Sequence, residues 1–234
     1  MKFSVSKGVL EKFPELNIGI VIAKKINNEG ESEEVMKFIR EKENEIRKNF
    51  NSETLSQNQR IEIWREVYSS FGAKPKKYKC SVENLYRMIL DGMRLKHINK
   101  VVDIYNYISI KYVVPVGGDD IDKVDGDIEL KLANGNEIFR ELNSEELKNP
   151  KLGEVVYVDE KEVLCRRWNW RECDKTKMTE DTKNLALVIE GLPPVTRDEI
   201  EKIISELGEM IKKFCGGEIT AKILSKDQNE AIIA

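Results

Sequence analysis

The stretch Val163–Pro194, VLCRRWNWRECDKTKMTEDTKNLALVIEGLPP, decides how the chain is read. Apolar runs close it at both ends, Val163-Leu164-Cys165 and Leu185 to Ile189, and between them Trp168 and Trp170 alternate with Arg166, Arg167 and Arg171. The pattern is strand, elaborate loop, strand. Interleaved indoles and guanidiniums are costly to leave in water and hard to bury completely. Such a loop either caps a core with its tryptophans and solvates its arginines, or it meets a flat ring or an anion. The second strand runs into Glu190-Gly191-Leu192-Pro193-Pro194, which puts a carboxylate at the rim of an apolar run just before the prolines turn the chain.

Upstream of this stretch the pattern is sheet. Glu154–Val158 and Glu162–Leu164 read as a hairpin around Asp159-Glu160-Lys161. Asp125-Gly126-Asp127 reads as a turn opening the strand Ile128–Leu132, and Asn134-Gly135 as a hairpin signal to a short strand at Glu137–Phe139. Before them, Val113 to Asp120 is a short apolar run stopped by Gly117-Gly118, where the backbone can pass close to a ligand with amides free to point at it. The helix before that carries Val101, Ile104, Tyr105, Ile108 and Tyr112 on one face, a stripe in which Tyr105 reads as core. Asn106 lies at the stripe's border, where a short amide either bonds backbone or points into a cleft.

The flanks read as scaffold. Strands at 2–6 and 17–26, helices after Ser32 and around Trp64, and a helix from Ser81 precede the core, with Phe71–Lys79 as the one linker-like stretch, broken at Pro75. Thr196 caps a C-terminal helix that Gly216-Gly217 ends, and Ile219, Ala221 and Ile223 alternate as a last strand.

Composition narrows the function classes. The 234 residues carry 39 basic and 42 acidic side chains, a net charge of −3, which argues against coating nucleic acid by bulk charge. Residues 161–177 nevertheless hold six basic and three acidic side chains, a local basic patch. No run is long enough to span a bilayer and the start lacks a signal peptide, so the expected location is cytoplasmic, without membrane or DNA partners. The four cysteines form no CxxC pair, and His97, the single histidine, follows a helix end, so neither type is expected to be catalytic. The acidic run from Asp119 to Glu129 fails as a calcium loop because Val124 occupies a ligand position; no metal and no cofactor are expected.

Three segments together resemble the B3/B4 domain, the aminoacyl-tRNA editing domain of the bacterial phenylalanyl-tRNA synthetase β subunit, in the form found as freestanding proteins. They are INKVVDIYNYISIKYVVPVGGDD; GDIELKLANGNEIF with GEVVYVDEKEVLCRRWNWRE; and TKNLALVIEGLPP. The resemblance implies an α+β fold with a β-rich, sandwich-like core wrapped by helices and a helical N-terminal part. It makes residues 1–234 a single domain, with 80–195 as family core, 1–75 as the N-terminal part and 196–234 as the C-terminal helix and strand. It also implies hydrolysis, in translation quality control, of the ester joining a wrong amino acid to a tRNA 3′ end, with canavanyl-tRNA(Arg) or tyrosyl-tRNA(Phe) as candidates.

Carried over by position, Asn106 matches the family's helix asparagine and Glu190 its strand-end acid, the two expected catalytic residues. Gly117 stands where the synthetase domain has a histidine, a departure that sets the tyrosine specificity of that domain apart. Gly117, Gly118, Asp119, Trp168, Asn169 and Arg171 are expected to shape the pocket, and Arg166 and Arg167 to touch the tRNA. An aminoacyl ester is already activated, so placing a water and stabilising an oxyanion suffices, and no side-chain nucleophile is required. Glu190 either acts on that water or holds the substrate's α-ammonium. Asp119, Asp120 and Asp122 suit a cationic or polar side chain. Two other readings stand beside this one: a module that grips an RNA end or a synthetase partner without chemistry, and an acidic-loop metal hydrolase.

Overall fold

A computed structural model describes all 234 residues, and its elements follow the apolar patterning. The N-terminal part is β1 (Lys2–Val5), α1 (Lys7–Lys12), β2 (Asn17–Lys24), α2 (Glu33–Asn49) and α3 (Gln59–Ser70). Next come α4 (Ser81–Leu90), α5 (Lys100–Tyr112), β3 (Val116–Asp120), β4 (Ile128–Leu132), β5 (Phe139–Arg140), β6 (Leu147–Lys148), β7 (Val155–Val158), β8 (Val163–Arg166), β9 (Arg171–Glu172) and β10 (Leu185–Gly191). The chain closes with α6 (Arg197–Cys215), β11 (Glu218–Leu224) and β12 (Glu230–Ile232).

β10 is buried at every position, as a continuous apolar run must be inside a sheet, and it lies between β2 and β3 in the four-stranded order β11-β2-β10-β3. A second, six-stranded sheet runs β12-β1-β4-β7-β8-β9, with β1 and β4 parallel and its other pairs antiparallel. The sheets meet where Tyr157 of β7 bonds Glu190 of β10. α5 and α6 cover the four-stranded sheet, and the buried apolar residues form one cluster running from Phe3 to Ile233. The fold is α+β, a mixed β core wrapped by helices.

Three local readings need correction. Asn134-Gly135 does not open a hairpin back along β4, because β4 pairs with β1 and β7 on its two edges. The turn is closed by the Glu137 carboxylate, which accepts from the Asn134 and Gly135 amides at 2.8 and 2.9 Å, and the short strand after it pairs with β6. Glu190 is not at a rim: it lies inside β10, paired with Ile18, and is 2% exposed. The glycine pair lies within β3, an edge strand. Glu190 N–H bonds the Pro115 carbonyl and Asp120 N–H bonds Thr176, so the antiparallel alternation turns Gly118 N–H outward and spends Gly117 N–H on β10.

Gly19 on β2 lies directly under α6: a Cβ there would sit 2.4 Å from Ile204 Cγ2 and 2.8 Å from Ile200 Cγ2. Gly19→Ala is expected to destabilise by about 1–3 kcal/mol in urea unfolding, as overpacking does. Adding Ile204→Ala should recover part of that loss, so that the double variant costs less than the sum of the singles.

Candidate functional site

The β8–β9 connection makes the site. Arg167 and Trp168 have φ of +47° and +67°, two consecutive non-glycine residues in the left-handed region, at about 1–3 kcal/mol each. That turn drives the Trp168 ring inward, where it is fully buried against Phe13 and Trp64 at ring centroids of 5.0 and 5.1 Å. Its amide bonds the Val155 carbonyl at 2.7 Å. The same turn presents Asn169 to Glu190.

Arg166 and Arg167, expected to reach tRNA, are each 6% exposed. Arg166 makes a bidentate pair with Glu154 at 2.9 and 3.0 Å, and Arg167 lies 3.8 Å over the Tyr78 ring centroid and 4.4 Å from that of Trp170. A guanidinium so enclosed is not open to a phosphate. These two arginines hold the loop together instead.

Glu190 anchors a buried network. Tyr157 Oη donates to one carboxylate oxygen at 2.6 Å, Asn169 Nδ2 donates to the other at 2.5 Å, and Tyr68 Oη donates to Asn169 Oδ1 at 2.8 Å. The ionised Glu190 carboxylate accepts only, so it takes the Nδ2 end of the Asn169 amide and leaves Oδ1 to Tyr68. Burial raises Glu190 to about 7, with the Tyr157 and Asn169 donors holding it down.

A cavity of about 190 Å³ opens in front of this carboxylate and is lined by Gly117, Gly118, Asp119, Trp168, Asn169, Arg171 and Glu190, the expected pocket residues, and also by Tyr157, Cys165 and Glu172. Asn106 is the exception: it lines an adjoining cavity of about 240 Å³, which shares Ser81, Val116, Trp170, Arg171 and Glu172 with the first. Gly117 keeps the floor open, since a Cβ there would sit 3.0 Å from Glu172 Oε1.

Burial, and then Asp119 beside it, pushes Glu172 up to about 8 against the Gly118 amide. Burial likewise raises Asp119 to about 6, although Thr176 donates to it. No cation acts on Glu172 or Glu190, and Asp119 feels only Lys175, which is already bonded to Asp125 and Asp159. The cavity therefore holds three acids whose ionisation is suppressed, and the one cation that lines it, Arg171, pairs with Glu141 instead. Cys165 stays a thiol, raised well up by burial and by Glu172, Glu190 and Asp119. His97 is bonded to Asp103 at the start of α5, outside both cavities. The acidic run disperses into separate partnerships, Asp120 with Thr182 and Lys123, Asp122 with Asn184, Asp125 with Lys161.

Residues 63–216 match the family model described as the B3/4 domain, more than half of the chain. The phenylalanine–tRNA ligase beta subunit of Fusobacterium nucleatum subsp. nucleatum is 30% identical over 119 residues, which are 50% of this chain and 14% of that protein. A crystal structure of an N-terminal fragment of the phenylalanyl-tRNA synthetase beta-subunit from Pyrococcus horikoshii aligns over 94% of this chain and 49% of that one, at 14% identity and a TM-score of 0.44.

A carboxylate raised from 4.5 to about 8 gives the folded protein more bound protons than the unfolded one across that window, so it lowers stability progressively as pH rises through it. Glu172→Gln should therefore raise Tm at pH 8.5 by roughly 2–4 °C or more and leave it unchanged near pH 4. Equal shifts at both pH values in thermal melts would contradict the assignment.

Proposed function

The chain belongs to the B3/4 domain family, and from that premise we propose that it is an aminoacyl-tRNA deacylase acting on a mischarged amino acid. The observation that carries this reading is the cavity with Asp119, Glu172 and Glu190 on its wall, none of them paired with Arg171, the cation on the same wall, which is taken by Glu141. An aminoacyl ester brings a positive charge in its α-ammonium, which favours ionisation of these acids. A cationic side chain brings a second, which favours a guanidine-like residue such as canavanine on tRNA(Arg) over tyrosine on tRNA(Phe), whose hydroxyl needs one partner only.

In the proposed reaction a water oxygen adds to the ester carbonyl carbon while Glu190 takes the water proton. The bond from carbon to the ribose oxygen then breaks, the proton passes to that oxygen, and free amino acid and a terminal hydroxyl leave. Glu190 suits this step because its pKa of about 7 lies at the operating pH and its two donors hold it in place. Asp119 takes the cationic groups, with the Glu172 carboxyl, held by the Gly118 amide, beside it as a hydrogen-bond acceptor. Asn106, in the adjoining cavity, serves the nucleoside side of the ester rather than Glu190. A non-catalytic RNA-end module remains the second reading, favoured by the Trp170–Arg171 surface shared by both cavities.

Single-turnover deacylation across a panel of mischarged tRNAs tests the proposal. Glu190→Gln should lower the saturated rate by roughly 10²-fold or more with tRNA binding kept. The wild-type rate should climb with pH up to about 7 and level above it, as the base ionises. No turnover on any member of the panel would favour the binding module.

A further inference from the structure

The segment Lys74–Lys79, KPKKYK, reads in sequence as a linker, but it is folded onto the site. Its backbone turns on itself, with the Lys77 and Tyr78 amides bonding the Lys74 carbonyl. Tyr78 is clamped by Arg167 stacked at 3.8 Å and by the Trp170 ring edge-on at 5.0 Å. Buried Arg167 thus pins a lysine-rich segment against the Trp loop.

Two of these lysines, Lys77 and Lys79, line the adjoining cavity together with Asn84, Asn106 and Arg171. Lys79 Nζ donates to the Lys76 carbonyl and Lys77 lies 5.3 Å over the Tyr78 ring, so neither is spent on a carboxylate. The same cavity meets the N-terminus of α4, where Cys80 supplies no capping side-chain hydrogen bond. Ser81, in the first turn, has a buried hydroxyl without any partner, on the wall common to both cavities. An uncapped helix start, an orphaned hydroxyl and two lysines that pair with no carboxylate, all lining one cleft, suit an oxyanion with several acceptor oxygens. Glu172 also lies on that wall, where burial and Asp119 favour its neutral form.

We propose that this cleft is a phosphate subsite that takes the 5′-phosphate of the terminal nucleoside, with Lys77, Lys79 and the Ser81 hydroxyl on the phosphate and Asn84 and Asn106 beside the base. The inference rests on the deacylase reading for the identity of the ligand, an RNA 3′ end, but the cleft's chemistry stands by itself. Bound there, the nucleotide directs its ribose ester across the shared wall toward Glu190.

The test is calorimetric titration of the full chain with adenosine, adenosine 5′-monophosphate and the trinucleotide CCA. The monophosphate should bind at least about 10-fold tighter than adenosine, and CCA tighter again. Lys77→Ala/Lys79→Ala should erase the advantage of the phosphate, and Ser81→Ala should reduce it. The salt dependence of CCA binding should flatten by about one phosphate contact or more in the lysine variant. Equal affinity for adenosine and its monophosphate, or a lysine variant that binds like wild type, would overturn the subsite. A free monophosphate that outcompetes CCA would assign the cleft to a free nucleotide and overturn the RNA-end reading. In deacylation the lysine variant should raise KM with kcat kept. Turnover with unchanged KM removes this subsite and spares the deacylase, whereas lysine-dependent CCA binding without any turnover does the reverse.

Discussion

A carboxylate enclosed at the centre of a sheet is the constraint on which the rest depends. Glu190 occupies a position in β10 that its neighbours fill with aliphatic side chains, and it is 2% exposed. Burying that charge is tolerable only because Tyr157 reaches across from the second sheet and Asn169 down from the β8–β9 turn, each donating to one oxygen. The bond from Tyr157 is also a point at which the two sheets are joined. The proposed catalytic carboxylate and the junction of the two sheets therefore share one contact.

The turn that supplies Asn169 is held under strain by buried charge. Two left-handed residues persist because Trp168 fills a fully enclosed aromatic site and because Glu154 takes the Arg166 guanidinium and the Arg167 amide. Fixing the loop in this way gives the cavity a rigid wall and leaves Asp119 and Glu172 facing it without a salt-bridge partner. Three acids whose ionisation is suppressed in the empty pocket gain most from a ligand that brings cations.

Much of the fold was legible in the residues. β7, β8 and β10 stand out as apolar runs, and the turn at Asp125-Gly126-Asp127 and the Thr196 cap fall where their chemistry requires. β12 was not legible, because an edge strand of three mostly exposed residues has no apolar alternation to show. In the site, Glu190, Asn169 and the glycine pair could be picked out, whereas Tyr157 reads as one more residue of an apolar strand and Glu172 as one charge among many in a loop. Arg166 and Arg167 read as an open basic patch because their neutralising partner, Glu154, lies 12 residues upstream of Arg166 and meets it only through sheet pairing. Pro75 marked Lys74–Lys79 as a linker, and only the stacking of Tyr78 on Arg167 reveals that the segment is held in place.

The central claim is that Glu190 and the unbalanced acids beside it face the ammonium end of an aminoacyl ester. A crystal structure with a non-hydrolysable 3′-arginylamide of adenosine tests it most directly. The account predicts the amide carbonyl in the cavity before Glu190, the cationic groups in hydrogen-bond contact with Asp119 and Glu172, and the nucleoside across the shared wall beside Asn106. An analogue bound elsewhere, or one whose cationic groups point away from these carboxylates, would contradict it.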